Sequence, residues 1–174
     1  MKIERYFLWS LIMILLDLVW STNMNVYWAY TPHFFLFILL FFPHDKPGWL
    51  QLSIGFVTGL IADIIYYTGG LFTASSVTYM LLRLVLFRFL NKQKKRPVGR
   101  PLKWPVPTFS IYLFASSLIF ESLVYIFDQT KMSEWIDQGL PVLIQSASTA
   151  FLIWIIVILF IRPAHGNVSK LPSL

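Results

Sequence analysis

The chain has 174 residues, of which 57% are hydrophobic and only 13% charged, with a mean hydropathy of +0.67. A soluble domain carries roughly 25% charged residues because its surface faces water, so this composition excludes an ordinary soluble domain and points to the bilayer as solvent. The net charge of +6 does not indicate nucleic acid, since the basic residues sit between apolar runs, and the lack of cysteine excludes disulfides, thiol catalysis and cysteine metal sites.

Six apolar stretches follow in order, at residues 6–20, 27–42, 49–67, 72–90, 109–127 and 140–161. The first begins after Met1, Lys2, Ile3, Glu4 and Arg5, as a signal peptide would. No small-x-small cleavage pattern follows it, so an uncleaved first span is expected. The last four stretches are 19 to 22 residues long, enough to cross ~30 Å of hydrocarbon as helix. The first two have 15 and 16 residues and aromatic flanks. Pairing those two as one re-entrant hairpin is the main competing topology.

Charge favours six spans. With the N-terminus inside, 13 of the 14 basic residues fall on the cytoplasmic side and only Lys131 outside, beside Asp128, Glu134 and Asp137. The expected architecture is an all-α polytopic membrane bundle forming one transmembrane domain over residues 1–174, with both ends in the cytoplasm. A basic cytoplasmic loop at 91–107 holds Pro97, Pro101, Pro105 and Pro107, which oppose helix. Its Lys92, Lys94, Lys95 and Arg96 are candidates for docking anionic lipid or an acidic partner, with topological anchoring as the plainer role. The tail after Arg162 is expected to be disordered.

Ionisable residues inside spans are costly, and each needs a partner. Gly55, Gly59 and Asp63 recur every four residues, so they share one helical face on which another backbone can approach closely. Arg83 or the hydroxyls of Thr73, Ser75, Ser76 and Thr78 are the expected partners of Asp63. Glu121 shares a face with Ser117 and Tyr125, opposite Gln145, Ser146, Ser148 and Thr149 of the last span. A hydrogen-bonded seam explains that grouping, and an outward ligand cavity is the alternative. Asp17 is expected to reach the outer interface, and the histidines His33, His44 and His165 to lie near span ends or in the tail. Gly69 and Gly70 mark a tight turn. No HExxH, GxSxG or glycine-rich phosphate loop is present, so no catalytic residue, cofactor or metal is expected.

With those residues in view, the segment 30–90 resembles the bacterial rod shape-determining protein MreD family. Tyr30, Thr31, Pro32 and His33 before an apolar run are similar to a proline-started second span. Lys46, Pro47, Gly48 and Trp49 are similar to its turn into span three. Gly55, Gly59, Leu60, Asp63 and Ile64, followed by Gly70 and Leu71, resemble the family's Gly-Leu-x-x-Asp signature and the glycine after it. His33 departs from the acidic residue that often follows the proline. The resemblance implies a non-enzymatic subunit of the cell-elongation machinery in the bacterial cytoplasmic membrane. Such a subunit packs against an MreC-like single-span protein and, through it, serves peptidoglycan synthases and the actin-like MreB. The family is also similar in helix arrangement to the substrate-binding subunits of energy-coupling-factor transporters. The rival expectation is therefore a vitamin-binding subunit, with Glu121 and Gln145 lining an outward pocket. The bulky Leu11, Leu15 and Leu18 of span one count against that rival.

Overall fold

A computed structural model describes residues 3–23, 31–44, 46–93, 101–128 and 139–161. Among the described residues the chain is all helical. Its helices are α1 (Ile3–Asn23), α2 (Leu36–Phe41), α3 (Gly48–Tyr66), α4 (Leu71–Gln93), α5 (Val106–Phe127) and α6 (Gly139–Ile156). A π-helical turn, Val157–Ile161, prolongs α6, and a short 3-10 turn, Pro101–Lys103, precedes α5. Four stretches are long and apolar enough to cross a membrane: Gly48–Tyr66, Leu71–Phe89, Val106–Phe127 and Gly139–Ile161. Tyr6–Thr22 is a shorter apolar stretch. Residues 129–138, expected as an external loop, with 94–100 of the expected basic loop and the tail beyond Ile161, lie outside the described residues.

The long helices form a ring in the order α1, α3, α4, α5, α6, and Trp9 of α1 against Phe160 beyond α6 closes it. Their outward faces are apolar, as a lipid-facing surface requires. Leu8, Leu11, Leu15 and Leu18 of α1, Phe56 and Ile64 of α3, and Phe151 of α6 are all exposed. Pro107 sits inside the first turn of α5, so that helix starts three residues earlier than the expected 109. Proline is tolerated there because the first amides of a helix have no intrahelical acceptor.

The expected span 27–42 is not a continuous helix. Thr31–Phe35 is non-helical, α2 has six residues, and residues 27–30 lie outside the described part. The reason is local. Pro32 and Pro43 bracket ten residues, which as helix would reach only about 15 Å. Proline also disfavours helix in the residue before it. Every residue from Thr31 to Phe42 is buried, in the middle of the ring. A helix apolar on all sides belongs in an interior, and the sequence Phe34–Phe42 has no polar face. The segment runs antiparallel to α1, since Phe34 and Phe35 meet Asp17 while Ile38 meets Tyr6.

The tightest helix pair is the hairpin α3–α4. A Cβ on Gly59 would lie 2.5 Å from Thr73 Cα and 2.7 Å from the Phe72 carbonyl oxygen, and one on Gly55 would lie 2.9 Å from Met80 Cγ. The glycine stripe is therefore occupied by the chain's own α4. At the hairpin tip Tyr67, Gly69 and Gly70 adopt positive φ of 56°, 62° and 105°.

This packing separates two kinds of glycine. Gly59→Ala drives a methyl into fixed backbone and should lower stability by about 2–3 kcal/mol. Gly69→Ala meets no atom within 4 Å and should cost only the left-handed strain of about 1 kcal/mol. Equilibrium unfolding of the purified protein in detergent micelles checks the order. Equal losses at the two positions would contradict the close approach.

Candidate functional site

The site is the polar lining around segment 31–42. A non-helical backbone in an apolar interior leaves amides and carbonyls without helical partners, and each unsatisfied group is costly. The surrounding helices supply the partners one by one.

Amides come first. The Asp17 carboxylate accepts from the Phe34 amide at 2.9 Å and the Phe35 amide at 2.7 Å. Tyr66 of α3 donates its hydroxyl to the same carboxylate at 3.1 Å. Thr149 Oγ1 of α6 accepts from the His33 amide at 3.2 Å. The next three amides turn back on their own chain, from Leu36 to the His33 oxygen, Phe37 to Phe34 and Ile38 to Phe35.

Carbonyls are met from the other side. Gln145 Nε2 donates to the Thr31 oxygen at 3.1 Å, and Tyr6 donates its hydroxyl to the Ile38 oxygen at 2.8 Å. Arg83 Nη2 donates to the Leu40 oxygen at 3.2 Å and the Phe42 oxygen at 2.7 Å. Tyr112 adds a bond to the Leu40 oxygen at 3.0 Å. Arg83 also stacks its guanidinium over the Phe87 ring, 5.4 Å from the centroid. A carboxylate thus stands at the start of α2 and a cation at its end, the arrangement helix polarity favours.

His33 ties the first part of the chain to the last. Its Nδ1 lies 2.9 Å from Glu121 Oε1, with both side chains almost wholly buried. With Glu121 as a carboxylate, which can only accept, Nδ1–H of His33 donates the hydrogen bond. Gln145 Nε2, at 3.4 Å from the same nitrogen, is then placed to donate to Thr31 instead. The rings of Phe35, Tyr66 and Phe72 surround the imidazole at 4.9 to 5.5 Å between centroids. Ser117 Oγ donates to the Ser146 oxygen at 3.0 Å, one bond of the expected seam between α5 and α6, whereas Glu121, Gln145 and Thr149 turn to residues 31–33 instead.

Several expectations are corrected here. Asp17 does not reach the interface and is fully buried. His33 is not a span-end residue but the direct partner of Glu121. Arg83 does not pair with Asp63. Asp63 instead caps α4, accepting from the Phe72 and Thr73 amides at 2.9 Å each and from the hydroxyls of Thr68 and Thr73. Gly70 supports that turn, its oxygen accepting from the Ala74 amide at 3.0 Å. Lys94, Lys95, Arg96 and the Lys92 side chain lie outside the described residues.

Chemically, this set holds backbone and offers no activated nucleophile. Among the described residues no group of three or more His, Cys, Asp or Glu side chains could hold a metal ion. Of Asp17, His33, Tyr66 and Thr149, the sequence does not single out Tyr66, and the partners of the other three carry one signal there: Pro32 interrupts the apolar run 27–42.

Asp17→Ala orphans two buried amides and should cost about 2–4 kcal/mol, whereas Asp17→Asn keeps one acceptor oxygen and should lose less. A double-mutant cycle on His33→Leu and Glu121→Leu should give a coupling of about 1–3 kcal/mol. Micelle unfolding reads both, and additive single losses at His33 and Glu121 would refute their pairing.

Comparison of the chain with protein-family models, with curated proteins and with solved structures gives no match.

Proposed function

We propose that the chain is a non-enzymatic subunit of the bacterial cell-elongation machinery, an MreD-like protein of the cytoplasmic membrane. In this reading it crosses the membrane six times with both ends inside and packs against an MreC-like single-span partner. Through that partner it serves lateral peptidoglycan synthesis.

One observation carries the reading. The polar side chains in the bundle interior, Asp17, His33, Arg83, Glu121 and Gln145, are all engaged with the chain itself, while the outward faces are apolar. A protein organised this way recognises other helices by shape. The residues behind the MreD resemblance, Gly59, Asp63 and Gly70, build the α3–α4 hairpin, so a partner is met elsewhere. The best-spaced outward face is on α1, where Leu8, Leu11, Leu15 and Leu18 are exposed at intervals of three and four. The inward orientation is supported by Lys46 and Arg88, which stand at the same end as the start of α1. A vitamin-binding subunit of an energy-coupling-factor transporter would need Glu121 and Gln145 free to meet a ligand, and their bonds to His33 and Thr31 count against it.

The test is mass spectrometry of proteins that co-purify with the tagged chain after mild detergent extraction from its native membrane. An MreC-like protein and wall synthases are the expected partners, and Leu11→Ala with Leu15→Ala should lower their recovery severalfold while the bundle stays folded. Recovery of ATPase and coupling subunits instead would overturn the scaffold role.

A further inference from the structure

At the end of the bundle that holds Lys46 and Arg88, a pocket of about 180 Å³ opens between the start of α3 and the end of α4. His44, Lys46, Pro47, Gly48, Gln51, Leu84, Phe87 and Arg88 line it. Three features bear on what it holds.

The first is like charge brought together. Arg88 Nη2 lies 3.3 Å from where a Cβ on Gly48 would stand, which places the guanidinium over the first residue of α3. That end of α3 is the positive end of its dipole, has no acidic residue in its first turn and receives no side-chain cap. Lys46 brings a second cation to the same pocket. Among the described residues the one ion pair is His33–Glu121, well away from it, and Asp45 lies outside the described residues. Two cations and a helix start facing one cavity repel each other unless an anion sits among them.

The second feature is depth. Gly48 is the first residue of one membrane-length stretch, and Arg88 the second-last of another, Leu71–Phe89. The pocket therefore opens where hydrocarbon gives way to headgroups. Trp49, strongly exposed beside it, is the aromatic residue that favours this level. The third is the wall. Leu84 and Phe87 make one side apolar, suited to the glycerol and upper acyl part of a lipid, while Gln51, also in the lining, has its Nε2 engaged with the His44 and Lys46 oxygens at 3.2 and 2.8 Å.

We propose that this pocket binds the phosphodiester headgroup of an anionic phospholipid, with Lys46 and Arg88 as its charge partners. The residues named as its lining all precede the basic connection 91–107 in the chain. The site requires only that α3 and α4 cross the membrane, not that the scaffold reading holds.

Native mass spectrometry of the full-length protein in detergent tests it, with dioleoylphosphatidylglycerol, dioleoylphosphatidylcholine or inorganic phosphate added. The phosphatidylglycerol adduct should dominate, and Lys46→Gln with Arg88→Gln should weaken it by roughly thirtyfold. Removing two charges from the connection instead, by Lys95→Gln with Arg96→Gln, should leave it nearly unchanged. Both pocket positions are at the rim, and the helical circular dichroism of the variant confirms its fold. Lys46→Gln alone, with an intermediate loss, serves if the double variant unfolds. Equal occupancy by the two lipids, or equal loss from the connection variant, would overturn the proposal. Displacement of the lipid by millimolar inorganic phosphate would reassign the pocket to a soluble anion.

Discussion

Twelve buried residues in the middle of the ring, Thr31 to Phe42, cannot be an unbroken helix, and much else in the structure answers that constraint. Irregular backbone at membrane depth survives only where protein surrounds it. The ring of five helices provides the enclosure, and its polar side chains provide the hydrogen bonds that water would otherwise supply. This explains why a chain with so few charged residues places several of them inside. Asp17 and Arg83 are structural partners of a peptide backbone before they are anything else.

Two electrostatic effects act on α2, and their sizes differ. The dipole of a six-residue helix is small, and its influence is confined to the first and last turn. Charge-assisted hydrogen bonds are direct and about twice as strong as neutral ones. Asp17 makes two to amides and Arg83 two to carbonyls. Direct bonding therefore dominates, with helix polarity adding in the same direction. His33 with Glu121 differs, because both members are side chains and both lie in the interior. Such a pair adds little net stability over apolar residues of the same shape. Its effect is to specify which helices meet.

The α3–α4 hairpin shows how a short motif can be wholly architectural. Gly59 lets the start of α4 approach to backbone contact, and Asp63, one turn later, accepts the two amides that this approach presents. Neither residue works without the other. The glycine brings the amides within reach, and the carboxylate satisfies them. The proposed scaffold role fits this economy, since the bundle's polar chemistry is turned inward and recognition is left to outward apolar faces and to charge at one end.

Sequence alone determined the elements whose signal is local. The long apolar runs located α3, α4, α5 and α6 with its π-helical turn to within three residues at each end, because a span is a property of about 20 neighbouring side chains. Four-residue spacing put Gly55, Gly59 and Asp63 on one face, since helical periodicity needs only the next turn. Tertiary structure alone decided the partners. Glu121 meets His33 from 88 positions away, Arg83 reaches back 41 to Phe42, and Gln145 spans 114 to Thr31. Local periodicity says nothing about such distances. It also misread 27–42, because a uniformly apolar run looks the same whether it is a spanning helix or an interior strand of backbone. Only the surrounding helices, which bond the His33, Phe34 and Phe35 amides and the Thr31, Ile38, Leu40 and Phe42 oxygens, made the second form the stable one.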